Sequence, residues 1–202
     1  SDYLYGNGGP DRLYGGTGDD LIDGGAGRDW LYGNGGLDLL LGGPGVDGLY
    51  GGAGIDVLDG NGASDRFLLP ENNEDIILGY DEVNDVKIFF EHTTSSVSSN
   101  GSKYAAKVWS ETDIEKVDRG LAAIHEKTGN NLLLKHDAWA FDDDYLHFRR
   151  AGGRISGKSL GGWNDGLGTI TLTDNAFTNN TAAVLITVHE IGHEWDDEYA
   201  FD

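Results

Sequence analysis

The chain has 202 residues with 35 acidic and 14 basic side chains, a formal net charge of −21 at pH 7, and neither Cys nor Met. Such acidity repels nucleic-acid phosphates and anionic lipids, so neither is an expected partner. The absence of Cys excludes disulfide and thiolate chemistry. No apolar run reaches the roughly 20 residues of a membrane-spanning helix. Because the sequence begins with Ser1 rather than Met, we expect a fragment or a processed product.

The first third of the chain consists of glycine-rich blocks of nine residues. Seven blocks follow one another from Gly6 without an insertion: GNGGPDRLY, GGTGDDLID, GGAGRDWLY, GNGGLDLLL, GGPGVDGLY, GGAGIDVLD and GNGASDRFL. A partial block, SDYLY, precedes them in the same register. Position eight is always large and apolar, from Leu4 to Phe67. Position six is always aspartate: Asp2, Asp11, Asp20, Asp29, Asp38, Asp47, Asp56 and Asp65.

This period has a direct structural interpretation. A glycine-rich half-block can turn tightly, because glycine adopts backbone angles closed to other residues. The second half-block is predicted to be a short strand whose position-eight side chain points into a core. If two blocks form one coil and the coils stack, aspartates of neighbouring coils lie close together. Calcium prefers six to eight oxygen ligands, which carboxylates and loop carbonyls supply.

The pattern G-G-x-G-x-D-x-U-x resembles the RTX, or haemolysin-type, calcium-binding repeat. The resemblance implies an N-terminal parallel β-roll, an all-β solenoid, that binds several Ca²⁺ ions through the eight aspartates. It further implies that each ion bridges repeats n and n+2, as Asp29 with Asp47, and that the roll is disordered without calcium. It also implies a secreted, extracellular protein exported by type I secretion. The number of ions stays open.

The stretch from Arg66 to Phe90 resembles the segment that closes RTX rolls. A solenoid needs such a cap, because its last coil would otherwise expose an apolar face. Asp75, Asp81 and Asp85 could alternatively hold one more calcium ion. We therefore place the roll and its cap at residues 1–90 and a Ser/Thr-rich linker at 91–102. The expected capping strands are Phe67–Leu69, Ile76–Leu78 and Val86–Phe90.

Residues 103–202 are expected to form an α+β domain. A helix at Ser110–Lys127 is indicated by Ser110 as N-cap, by the apolar face of Ile114, Val117, Leu121 and Ile124, and by Gly129 beyond its end. Arg149 and Arg150 are expected to be solvated. Strands are expected at Lys103–Val108, Leu132–Lys135, Tyr145–Arg150 and Gly168–Thr173, and a last helix from Asn180 or Thr181 to Tyr199.

The last predicted helix contains the string HEIGH. His189 and His193 are four residues apart, so they share a helix face and can bind one metal ion. Glu190 is placed to accept a proton from a metal-bound water. This is the H-E-x-x-H arrangement of zinc peptidases, in which the ion polarises the scissile carbonyl. The sequence thus predicts one Zn²⁺, with Glu190 as the catalytic base.

HEIGH followed by EWDDEYA resembles the zinc helix of lethal-factor-like, zincin-type metallopeptidases. The preceding GTITLTDNAF resembles the edge strand that lines a zincin cleft and binds extended substrate. The serralysin active-site pattern is absent, because positions 196 and 199 are Asp and Tyr. The third zinc ligand is expected to be missing, with Asp196 and Asp197 as weaker candidates. The zincin-like domain is therefore expected to be incomplete at its C-terminus.

Three functions remain open at this point. The first is a secreted calcium-binding RTX protein with a zinc-dependent endopeptidase domain acting on a peptide or protein substrate. The alternative is a non-enzymatic calcium-binding or adhesin module whose HEIGH string is degenerate or accidental. A third is a larger RTX protein whose peptidase processes its own chain. The sequence leaves the substrate and the oligomeric state open.

Overall fold

A computed structural model describes residues 1–70, 74–81, 85–91, 93, 95–99, 101–129, 146–157, 160–164, 169–179, 181–182 and 186. The chain divides into two compact units, Ser1–Ile88 and Phe89–Asp202. The strand predicted at Leu132–Lys135 and most of the last predicted helix lie outside the described residues. No helix in the described part of the chain is both long and apolar enough to cross a membrane.

The first unit is a parallel β-solenoid, as the repeats predict. Strands from alternate half-coils form two rows, one of β1, β3, β5, β7 and β9, and the other of β2, β4, β6 and β8. Neighbouring strands pair in parallel eighteen residues apart, as Leu21 with Leu39. The strands are β1 (Tyr3–Tyr5), β2 (Arg12–Thr17), β3 (Leu21–Asp23), β4 (Trp30–Gly35), β5 (Leu39–Leu41), β6 (Gly48–Ala53), β7 (Val57–Asp59), β8 (Arg66–Pro70) and β9 (Ile76–Leu78).

The core of the roll is the column of position-eight side chains. Strand alternation sends this position inward, and its two neighbours outward. The expectation is confirmed from the second full block onward, where each position-eight residue is 0 % exposed: Ile22, Leu31, Leu40, Leu49, Leu58 and Phe67. One apolar residue per half-coil makes a narrow core, so the roll depends on further interactions between its coils.

Position two of each block explains why the repeats alternate between GG and GN. This residue has a positive φ in every full block, from 63° at Asn61 to 106° at Gly52. Glycine adopts that left-handed region without strain, and asparagine tolerates it better than other side chains. The choice between Gly and Asn is therefore a consequence of the turn, which the sequence repeats seven times.

The roll ends in the predicted cap. The capping strands are confirmed as β8, β9 and the start of β10 (Val86–Glu91). β9 pairs with β7, although the register between Val57 and Ile76 is nineteen residues. Val86 and Ile88 are 0 % exposed, so β10 also contributes buried apolar side chains. The cap therefore preserves the strand pairing of the roll after the nine-residue period has ended.

The second unit combines one long helix with strands among its described residues. The elements are the end of β10, β11 (Val97–Ser99), β12 (Ser102–Ala106), α1 (Glu111–Thr128), β13 (Leu146–Ser156), β14 (Gly162–Asn164) and β15 (Thr169–Leu172). β11 and β12 form an antiparallel hairpin around Gly101, whose φ is 74°. The segment 91–102 was expected to be a linker. Its last part instead forms β11 and the start of β12, because Val97–Ser99 pairs with Ser102–Tyr104.

The helix α1 is confirmed with both of its predicted ends. The side chain of Ser110 accepts a hydrogen bond from the N–H of Asp113, and Gly129 closes the helix with a φ of 75°. The predicted apolar face is buried, with Val117 and Leu121 both 0 % exposed. Local signals were sufficient here, because capping and periodicity both act within one helix.

The strand β15 is not the edge strand that the resemblance to zincins implied. β15 pairs in parallel with β13 and antiparallel with β14, so it has a partner on each side. The resemblance implied an edge strand at this place in the sequence. The short β14 takes the outer position instead, because Gly162 to Asn164 folds back onto β15.

Candidate calcium sites

The position-six aspartates form two ladders that run along the roll. The N–H of each aspartate donates to Oδ1 of the aspartate eighteen residues later, as Asp29 to Asp47 at 2.8 Å and Asp38 to Asp56 at 2.8 Å. One ladder contains Asp2, Asp20, Asp38 and Asp56, and the other contains Asp11, Asp29, Asp47 and Asp65. Repeats n and n+2 are thus neighbours, as the resemblance implied.

The second carboxylate oxygen of these side chains has a different environment. Oδ2 is buried and has no hydrogen-bond partner among the described residues in Asp11, Asp20, Asp29, Asp38, Asp47 and Asp56. A buried polar atom without a partner costs about 1–3 kcal/mol, and more when it is charged. Such a repeated arrangement calls for a ligand, since the same atom is affected in successive coils.

The orphaned oxygens point into small cradles above position-one glycines. A methyl carbon built on Gly24 would lie 2.7 Å from Oδ2 of Asp29 and 2.8 Å from the carbonyl oxygen of Gly42. The same test on Gly15 gives 2.6 Å to Oδ2 of Asp20 and 2.8 Å to the carbonyl oxygen of Gly33. Two oxygens thus converge on one point at each glycine. Position one must be glycine because a Cβ would occupy that point.

The electrostatics of the ladders also favour a cation. Burial raises the pKa of Asp47 and of Asp65 to about 7, against the opposing effect of the backbone hydrogen bond that each accepts. Burial likewise raises the pKa of Asp56 to about 6. Neighbouring carboxylates add to each shift, as Asp29 does for Asp47. At neutral pH these groups therefore require either a proton or a positive charge.

The cradles fit calcium in the chemistry of their donors. Calcium takes carboxylate and backbone carbonyl oxygens at about 2.3–2.6 Å, and each cradle offers both kinds. Among the described residues, no three His, Cys, Asp or Glu side chains gather as a metal site.

The structure distinguishes three aspartates at the two ends of the roll. Asp2 is exposed at the first coil and has no glycine cradle among the described residues. Asp75 and Asp85, which were grouped as one possible site, belong to different ladders. A period of nine could not find them, because their offsets from Asp56 and Asp65 are nineteen and twenty residues.

The predicted zinc residues His189, Glu190 and His193 lie outside the described residues. Nearer the start of that segment, Thr181, Ala182 and Ile186 are helical. The Ile186 side chain approaches Gly161 so closely that a methyl carbon there would lie 2.6 Å from Cδ1. The start of the last predicted helix therefore packs beside β14.

Several charged side chains in the described part of the second unit form ion pairs. Arg150 is 1 % exposed and contacts Asp113 at 3.0 Å and Asp174 at 2.8 Å. The expectation that Arg150 is solvated was wrong, because β13 directs it under Phe177, 4.2 Å from the ring centroid. Arg149 is one-third exposed and pairs with Glu91 at 3.0 Å. A hydrogen bond with His147 lowers the pKa of Glu91, against the effect of burial.

The fold and the cradles together define a calcium-binding β-roll. The family model described as RTX calcium-binding nonapeptide repeat (4 copies) matches residues 5–40, 14–49 and 41–68. The first unit therefore carries RTX calcium-binding repeats, which are typical of secreted proteins, and calcium is the metal that they bind. Comparisons of the chain with curated proteins and with solved structures give no match.

Proposed function

We propose that each cradle of the roll binds one Ca²⁺ ion through the position-six aspartates, and that these ions fold the first unit. The observation that carries the proposal is the row of buried Oδ2 atoms without partners among the described residues, five of which share a position-one glycine with a backbone carbonyl oxygen. Within the repeats such oxygen pairs occur at five glycines: Gly6, Gly15, Gly24, Gly33 and Gly42.

The two oxygens of one aspartate then have separate roles. Oδ1 accepts the N–H of the aspartate one coil earlier, which fixes the spacing of the coils. Oδ2 and the glycine carbonyl hold the ion, which supplies the attraction that the narrow core lacks. Without calcium, the carboxylates of one ladder repel one another, so the first unit unfolds. Folding free energy and binding free energy are therefore coupled.

This coupling suits a protein that is exported unfolded. Free calcium is far scarcer in the cytosol than outside the cell, so the roll would fold only after secretion. Export by a type I system and an extracellular location follow as part of the proposal. The acidic surface is compatible with this role, because it attracts cations and keeps the chain soluble.

A calcium titration of folding tests the proposal directly. Far-UV circular dichroism of the intact chain should report the β-roll in millimolar calcium and its loss in excess chelator. Asp47→Asn should bind fewer ions at equilibrium dialysis and should need more calcium to fold. Asp23→Asn, on the outward position nine of its block, is the matched control and should behave as the wild type. A spectrum insensitive to chelator would rule the proposal out.

A zinc-dependent endopeptidase activity in the second unit is our second proposal. Its support is the HEIGH spacing of His189 and His193, with Glu190 as the base that activates a zinc-bound water. Further support is the helical state of Thr181, Ala182 and Ile186 immediately before it. The rival is a non-enzymatic calcium-binding module in which HEIGH has no role.

Zinc analysis separates these two possibilities. The proposal expects one zinc ion per chain after dialysis against micromolar zinc, and its loss in His189→Ala. It also expects Glu190→Gln to retain zinc and lose cleavage of an unfolded protein substrate. Because a catalytic site needs three protein ligands, Asp196→Asn and Asp197→Asn test whether either supplies the third. Equal zinc content in wild type and His189→Ala would support the module without enzymatic activity.

A further inference from the structure

The two aspartate ladders end differently in the cap. The N–H of Asp56 donates to Oδ1 of Asp75 at 2.8 Å, and the N–H of Asp65 donates to Oδ1 of Asp85 at 2.9 Å. Both cap residues thus repeat the role that Oδ1 has in the nonapeptides. They lie beyond residue 68, where the match to the repeat family stops. Each ladder of hydrogen bonds therefore continues for one aspartate beyond the last nine-residue block.

The second oxygens of the two cap residues distinguish the ladders. Oδ2 of Asp85 accepts the N–H of Asp81 at 2.8 Å, and the carbonyl of Asp81 in turn accepts the N–H of Asp85. That carboxylate is therefore hydrogen-bonded within the cap. Around Gly60, the glycine of the same ladder, the three atoms nearest to an added Cβ all belong to Asp65. No cradle of two converging oxygens is apparent among these atoms.

Asp75 instead directs its second oxygen into a cradle. A methyl carbon built on Gly51 would contact Oδ2 of Asp56 and would lie 2.8 Å from Oδ2 of Asp75. Asp56 is 0 % exposed, and its Oδ2 has no hydrogen-bond partner among the described residues. In the preceding cradles of this ladder, the second oxygen comes from Gly33 or Gly51 as a backbone carbonyl. Here a carboxylate oxygen takes that place.

We propose that Asp56 and Asp75 form a sixth calcium site, outside the nonapeptide pattern, that fastens the cap to the last coil of the roll. The inference rests on the proposed calcium binding of the repeats. Two carboxylates make this cradle more negative than those with one carboxylate and one carbonyl. The site should therefore bind calcium more tightly than an average repeat site and order the strand β9 that follows Asp75.

Two further features of the structure support this assignment. Burial raises the pKa of Asp56 to about 6, and the charge of Asp75 contributes to the rise. Asp75 also immediately precedes Ile76, which pairs with Val57 of the last complete coil. An ion at Asp75 therefore acts at the point where the chain re-enters the roll.

Counting bound calcium in three intact chains tests the inference. Equilibrium dialysis of the wild type, Asp75→Asn and Asp85→Asn should give one ion fewer in Asp75→Asn only. Asn keeps the Oδ1 that accepts the N–H of Asp56, so the variant should fold in saturating calcium. If it does not, Asp75→Glu, which keeps the charge but displaces both oxygens, should also lose one ion.

The possible outcomes distinguish a failure of the cap site from a failure of the proposed calcium binding by the repeats. A wild type that binds no calcium overturns the proposed function itself. A wild type that binds several ions, with the same number in folded Asp75→Asn, overturns the cap site alone. Equal loss in Asp75→Asn and Asp85→Asn also overturns it, because the inference assigns the ion to only one ladder.

Discussion

At the residue scale, the two carboxylate oxygens of each position-six aspartate have separate roles in the roll. Oδ1 accepts the N–H of the aspartate one coil earlier, and Oδ2 lies near a second oxygen at the position-one glycine. Asparagine could accept the same hydrogen bond through its Oδ1. It could not replace the Oδ2 carboxylate oxygen, since its amide would bring donors towards a cation. The repeats therefore keep Asp at position six in all eight registers.

Glycine at position one is the other residue that the cradle requires. In Gly24→Ala the added carbon meets Oδ2 of Asp29 and the carbonyl of Gly42, so we expect loss of one calcium ion and an overpacking cost of about 1–3 kcal/mol. Urea unfolding in calcium measures the cost. Gly8→Ala is the control, because its nearest atom would be 3.6 Å away. Equal effects in both variants would contradict the cradle.

At the element scale, Arg150 connects α1, β13 and the turn after β15. Its guanidinium reaches Asp113 in the first turn of α1 and Asp174 beyond β15. Burial by itself raises the pKa of Asp174, yet the hydrogen bond from Lys107 and the charge of Arg150 lower it overall. The same basic residue type has opposite surroundings at positions 149 and 150, because strand alternation directs neighbours to opposite faces.

This contrast gives a paired prediction. Arg150→Ala takes the guanidinium partner from the buried carboxylate of Asp113, whereas Asp174 keeps its contact with Lys107, so it should destabilise the second unit by about 3–5 kcal/mol. Arg149→Ala removes a partly exposed pair and should cost about 1 kcal/mol or less. Denaturant unfolding in calcium, followed by Trp fluorescence, compares the two. Arg150 lies 5.9 Å from the ring of Trp109, which should report the change. A smaller loss in Arg150→Ala than in Arg149→Ala would contradict the structure.

At the scale of the whole molecule, protons and calcium compete for the ladders. The pKa values of Asp47 and Asp65 are raised to about 7 in the folded roll, whereas an unfolded aspartate titrates near ~3.9. The folded roll thus holds protons that the unfolded chain releases. Without calcium, its stability is present at low pH and is lost as the pH rises through about 7.

We therefore expect the β-signal of the metal-free chain to be greater at pH 5 than at pH 8. Far-UV circular dichroism in excess chelator measures it. In calcium the order should reverse, because protonation displaces the ions. The comparison is made at pH 5 and above, where the second unit keeps its stability. The pKa values of Glu91 and Asp174 are lowered, so that unit loses stability only at more acidic pH. A metal-free signal that grows with pH would contradict the ladder.

Prediction from sequence was most complete where the causes are local and repeated. The nine-residue period fixed the strands, the inward column and the aspartate rows, because each block imposes the same turn and the same alternation. The Ser110 cap and the Gly129 end of α1 are equally local. The strand β11 could not be predicted in this way, since Val97–Ser99 becomes a strand by pairing with β12.

The sequence by itself predicted a calcium-binding roll, since eight aspartates in register with glycine-rich turns match the RTX repeat. Only the tertiary structure decided which oxygens face a cradle, that Asp75 and Asp85 extend separate ladders, and that Arg150 is buried. These features depend on atoms brought together from different coils or strands. Their sequence separations, nineteen and twenty residues at the cap and thirty-seven between Arg150 and Asp113, follow no local period.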